Sequence, residues 1–423
     1  MPPHFRDHLR PPDDPRIASL AELDAYSHAD RVLHHPVAHQ LFDRWRELYE
    51  HTEFKGITTD GECVQGLFTL QDEQAPVQAC MQAVEHLLEG LTPALIEKVQ
   101  HPHDARQWRA WMNPEVYMMR FGLRLDELQP QTRDYVLAVL RASLSPQGFD
   151  RARQLMKINH FLGELVHAPR VLNEYSYNFN LFGTPSATEP WGWNFYGHHL
   201  CLNCRFIGNQ MVVTPVFMGA EPHAIDVGPL AGIPVFDSEE RAGMHLMQSL
   251  PRDLQQQAQL YAHKRDPAMP PGRIAFGDEL TLAGAFQDNR IIPTEGVCAL
   301  AMPAGQQAQL LALIHTYLAY LPDGPRAARM RENQAHLANT WFCWIGGTDE
   351  DSPFYYRIQS PVLIIEFDHH AGVFLGNTDP EKFQDKLEQM RNKEVKTLLF
   401  DEYLRETNNE KAGNQSVTKF FKK

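Results

Sequence analysis

The 423 residues are 43% apolar and 22% charged, the mix of an ordinary globular chain, which excludes a disordered or fibrous polypeptide and allows a large core. With 53 acidic against 39 basic residues the formal net charge is −14, so phosphate backbones and acidic lipid faces are repelled, and neither nucleic acid nor a membrane surface is an expected partner. The sequence has no run of about 18 apolar residues and no apolar core in its first residues, and the expectation is a cytoplasmic protein acting on a small-molecule substrate.

Residues 1–50 read as an N-terminal extension rich in Pro, His and charge, helical from Leu20 to Tyr49. The stretch 54–70 reads as a hairpin about Asp60-Gly61, a dipeptide that accepts the positive φ of such turns. From Ala75 to Phe161 apolar residues recur at spacings of three and four, as in Val77, Met81, Val84, Leu87 and Leu88, which predicts helices with one buried stripe. The period then changes. His198 to Ile207 and Met211 to Met218 predict two strands joined by Gly208-Asn209-Gln210, helices follow near 239–261 and 306–320, and Tyr355–Gln359 with Val362–Phe367 predict a second strand pair. Helices before and between separated strand pairs point to an α+β fold, helix-rich with a mainly antiparallel sheet, formed as one unit over 51–378. The densely charged tail, 379–423, reads as an exposed helix over Phe383–Leu404 followed by disorder. At its end, Val417, Phe420 and Phe421 have the spacing of a sliding-clamp-binding peptide, with Asn414 where such peptides carry Gln, so the tail is a candidate site for a protein partner.

Of the six cysteines, Cys201 and Cys204 form the single C-x-x-C, with no second pair at zinc-ligand spacing. Inside a strand the two sulfurs point to opposite faces, so buried thiols are expected there rather than a redox or zinc pair. No G-x-G-x-x-G, Walker or G-x-S-x-G pattern is present, which disfavours dinucleotide, P-loop and serine-hydrolase chemistry.

Alternation along the first strand puts His198, Leu200, Leu202, Cys204 and Phe206 on one face and His199, Cys201, Asn203 and Arg205 on the other. In the second pair, Glu366, Asp368 and His370 follow one another at every second residue, about 7 Å apart. Converging carboxylates repel unless a cation neutralises them, and a divalent metal or an arginine, Arg205 or Arg357, removes the conflict. Together with His199 the set is the His and carboxylate mixture of catalytic zinc and non-haem iron sites. His198 or His369 replaces its neighbour if the registers slip by one. Glu174, Tyr175 and Tyr177 are placed along the same cleft, and Trp191, Trp193, Phe195 and Tyr196 form an aromatic wall or a core.

Three segments together resemble the DUF3500 family, whose name denotes unknown function: Trp191–Asn203, Thr214–Pro222 and Tyr355–His369. The likeness extends over about 50–378, with support from 56–61, 111–115, 122–125 and 344–347. The resemblance implies a further His-x-His strand after the Glu-Phe-Asp-His stretch, whereas here Phe383 leads into Gln384, Asp385 and Lys386 and the charged tail.

The expected activity is that of a metal-dependent enzyme, hydrolytic on a small carbonyl-bearing or anionic molecule. Zinc, iron or manganese would be held by His199, Glu366, Asp368 and His370. His199, Asp368 and Glu366 would act on the substrate, and Asn203, Arg205, Glu174, Tyr177 and Arg357 would bind it. Iron-dependent oxidation, metal-free acid/base catalysis by Glu366 or Asp368 with His199, and a non-catalytic partner-binding protein are the alternatives.

Overall fold

Gly208 and Asn209 close a hairpin, as their sequence demands, and this hairpin lies near the middle of one 12-stranded sheet in the computed structural model. The structure describes residues 5–14, 17–36, 38–232, 235–349, 352–370 and 372–375, and the backbone of 392–399. In chain order the strands are β1 (Gln100–His101), β2 (Leu123–Arg124), β3 (Tyr177–Phe182), β4 (Trp191–Gly197), β5 (Leu200–Ile207), β6 (Gln210–Ala220), β7 (Gln259–Tyr261), β8 (Val297–Cys298), β9 (Trp341–Gly346), β10 (Phe354–Ser360), β11 (Leu363–His370) and β12 (Asn392–Leu399). The helices are α1 (Ala25–Leu33), α2 (Ala38–His51), α3 (Val77–Glu89), α4 (Pro93–Val99), α5 (Pro130–Ser143), α6 (Pro146–Leu165), α7 (Asp237–Ser249), α8 (Arg252–Ala258), α9 (Ala304–Tyr317) and α10 (Asp323–Ala335).

The strand order is β1-β3-β4-β5-β6-β12-β11-β10-β9-β7, with β2 and β8 pairing beside β3 and β9. Pairing is antiparallel except at β1–β3 and β7–β9, so the fold is α+β, helix-rich and mainly antiparallel. One sheet face packs against α3, α5, α6, α7 and α9 in the main core, where Leu200, Leu202, Cys204, Phe206, Leu363, Ile365 and Phe367 are buried. The other face meets a second cluster, in which Ala25, Ala29, Phe42 and Trp45 from the N-terminal helices pack with Cys201 and Phe217. The face carrying Cys201, Asn203 and Arg205 is therefore covered rather than an open cleft. Cys201 and Cys204 are buried on opposite faces, as alternation requires.

Several local expectations are corrected. Residues 54–70 form no hairpin; Thr58 makes a single bridge with Ile291, and Gly61 donates its N–H to Thr58 Oγ1 at 3.0 Å. His198 and His199 are not strand residues but the two-residue turn between β4 and β5, because Gly197 pairs with Leu200. The runs containing His199 and Glu366 are not neighbours. From Cys201 through Phe217 and residue 396 to Glu366 there are three strand spacings, roughly 14 Å. Within the span expected as a helix, 383–404, residues 392–399 form β12, inserted between β6 and β11; the rest of that span and the 417–421 motif lie outside the described residues. Among the described residues no helix is long and apolar enough to cross a membrane.

Candidate metal centre

A two-residue turn frees its side chains from the alternation of a strand, so both imidazoles reach the same point. The rings of His198 and His199 lie 3.8 Å apart, centroid to centroid. Glu221 meets them from the end of β6, and one ligand atom from each of the three residues lies within 4.8 Å of the other two. Around a tetrahedral zinc with bonds of about 2.1 Å, ligand atoms stand roughly 3.4 Å apart, so a contraction of at most about 1.4 Å closes the set on a metal.

Each member is held from behind. Asn159 on α6 donates through Nδ2 to the Asn173 carbonyl and to Ser176 Oγ, both at 2.9 Å, which turns its Oδ1 toward His198 Nδ1 at 2.8 Å. His198 Nδ1 is therefore the donor and Nε2 keeps its lone pair, the arrangement that a carbonyl behind a metal-binding imidazole enforces. Tyr177 adds a bond from its hydroxyl to the His198 carbonyl at 3.1 Å. Burial lowers the His198 pKa to about 4, partly opposed by the charge of Glu115, so the ring is neutral at pH 7.

His199 adopts φ 59°, left-handed for a side chain with a Cβ. Its N–H donates to the Asn113 carbonyl at 3.0 Å and its carbonyl accepts from Gly219 N–H at 2.8 Å. The ring lies directly on Gly219, where a Cβ would stand 2.7 Å from Nδ1. Glu221 Oε1 accepts from the N–H groups of Phe374 and Leu375, both at 2.8 Å. Burial nevertheless raises its pKa to about 7, and the charge of His370 acts in the opposite sense. A carboxyl made reluctant to ionise by burial, beside two imidazoles, is a group that a cation would stabilise.

The predicted residues divide. His199 belongs to the cluster, and His370 is within electrostatic reach of Glu221 and Glu279. Glu366 lies further along β11, where its carboxylate accepts from Leu282 N–H at 2.8 Å, Ala283 N–H at 2.9 Å and the Tyr355 hydroxyl at 2.6 Å. Asp368 pairs with Lys264 Nζ at 2.6 Å. His369 points to the helix-covered face, edge-on to Phe354 and Phe367. Asn203 donates to the Pro215 carbonyl at 2.8 Å, and the Arg205 guanidinium sits 4.6 Å from the Trp108 ring. Glu174 pairs with Arg153. Arg357 is bound to Glu295 at 2.8 Å and the Pro293 carbonyl at 3.0 Å, and no bond from it to Glu366 is present among the described contacts. The aromatic residues of β4 are core. Sequence reading missed Glu221; the signal for it was an acid followed by Pro222 where the apolar run of β6 ends.

A twelve-stranded, mainly antiparallel α+β sheet with a two-histidine, one-glutamate cluster at the β4–β5 turn defines the class of protein. The chain belongs to the family described as protein of unknown function (DUF3500), whose profile matches residues 73–385. No curated protein and no solved structure matches the chain.

Proposed function

We propose that the protein is a divalent-metal-dependent enzyme whose metal is held by His198, His199 and Glu221, with hydrolysis of a small carbonyl-bearing molecule as its reaction. The supporting observation is the convergence of three ligand atoms within 4.8 Å, with His198 presented in the ligating tautomer by Asn159. Two imidazoles and one carboxylate leave a tetrahedral cation an open position, and such a cation polarises a carbonyl or activates water. The same ligand set serves non-haem iron, which makes oxidation the second reading. The cysteines of the described residues form no disulfide, in keeping with a cytoplasmic setting, and the tail is retained as the candidate contact for a protein partner.

Elemental analysis and titration of the purified full chain with zinc, manganese and, anaerobically, iron(II) test the assignment. About one metal per chain is expected, lost in His198→Ala and Glu221→Gln and kept in Glu366→Gln and Asp368→Asn. Loss in the latter pair and retention in the former would move the centre to β11. Less than about 0.1 metal per chain after loading overturns the metal reading altogether.

A further inference from the structure

The N-terminal segment lies about two hundred residues before the cluster in sequence but is joined to it through one peptide unit. Leu9 forms an antiparallel bridge with Leu375. Arg10 donates through Nη2 to the Leu375 carbonyl at 3.1 Å and through Nη1 to Asp14 at 3.2 Å. The N–H of the same Leu375, with that of Phe374, goes to Glu221 Oε1. Leu375 therefore stands between a guanidinium, which takes its carbonyl, and a carboxylate of the metal cluster, which takes its N–H.

The short strap 372–375 is held at two points, in two different ways. Phe374 is fixed by packing: it is buried with Ile17, Leu20, Leu162 and Leu172, and its ring stands edge-on to His198 at 5.9 Å. The backbone of Leu375 is fixed by polar bonds, and the Arg10 side chain that supplies one of them is only 9% exposed although no residue of 5–14 is buried as a whole. Two N–H groups on one carboxylate oxygen set the orientation of the carboxylate, and releasing one lets it turn. A group that orients a metal ligand from behind typically changes metal affinity by 10–100-fold.

We propose that Arg10 is a positioning residue of the metal centre, holding Leu375 so that the strap presents its N–H groups to Glu221, and that the N-terminal extension is thereby part of the centre. The proposal rests on the metal reading above.

The full chain and its variants, loaded with zinc or with cobalt(II) as a spectroscopic reporter of ligand geometry, test it. Arg10→Met keeps the aliphatic stem and removes the donors; zinc affinity by chelator competition should fall about tenfold and the visible cobalt band should shift. Arg10→Lys restores a donor and should recover affinity to within about threefold of the parent. Asp14→Asn, which disturbs the other partner of Arg10 and leaves the Leu375 bond, should bind as the parent does. The coupling is reciprocal, so zinc loading of the unaltered chain should slow amide exchange in 5–14 as well as at Phe374 and Leu375. That measurement decides the matter even if the methionine variant does not fold. An unchanged cobalt spectrum with zinc affinity within about twofold in Arg10→Met, an equal loss in Asp14→Asn, or exchange in 5–14 indifferent to zinc overturns the proposal while leaving the metal reading in place. A parent chain that takes up neither metal removes the metal reading, and the proposal with it.

Discussion

Gly219→Ala tests the centre without touching a ligand. The new Cβ would stand 2.7 Å from His199 Nδ1 and 3.1 Å from its Cγ. Ordinary contact begins near 3.4 Å, so the ring must retreat by about 0.7 Å, while metal–ligand bonds tolerate about 0.2 Å. The His198 ring at 3.8 Å limits where it can go. The backbone, by contrast, accepts alanine: Gly219 is not among the positive-φ glycines, and its ladder bond to the His199 carbonyl stays. Replacing glycine within a strand even offers roughly 0.5–1 kcal/mol in chain entropy. The expected outcome is a 10–100-fold loss of zinc affinity, about 1.4–2.8 kcal/mol, with unfolding free energy within about 1 kcal/mol of the parent. Competition with a chromophoric chelator reads the first and urea denaturation the second. Zinc affinity within twofold of the parent would refute the placement of His199 in the centre, and parallel losses of affinity and stability would show a collapse of the strand instead.

Glu366→Gln puts a donor where two backbone N–H groups and a hydroxyl need acceptors, and should lower stability by about 2–3 kcal/mol in urea titrations while metal content holds. Arg329 is 2% exposed and joins Glu73 to Glu332, so Arg329→Met leaves Glu73 buried without its cation; a loss of about 3–5 kcal/mol is expected, and a change below about 1 kcal/mol would show that the pair is dispensable. Deleting residues 379–423 removes β12 and strips β6 and β11 of their shared partner. Size-exclusion chromatography over a range of concentrations should then show self-association, and an unchanged monomer would mean that the sheet closes without β12.

Local sequence was enough for the β5–β6 hairpin, the helices of 77–99 and 130–165, and the opposite burial of Cys201 and Cys204, since each depends on a period of 2 or 3.6 and on turn residues next to it. It also marked His199. It could not say that His198 and His199 form a turn, because the pairing of Gly197 with Leu200 is a fact about two strands, and a residue at a turn no longer obeys alternation. Nor could it say which acids attend the imidazoles. Glu366, Asp368 and Glu221 are all buried acids, the first two within β11 and the third just past the end of β6, and strand order separates them: β6 adjoins β5 and delivers Glu221, while β12 and β6 together hold β11 away. Hydrophobic period is written in the chain, whereas the neighbour of a strand is chosen by long-range packing and hydrogen bonding, and that choice decides which charged groups meet.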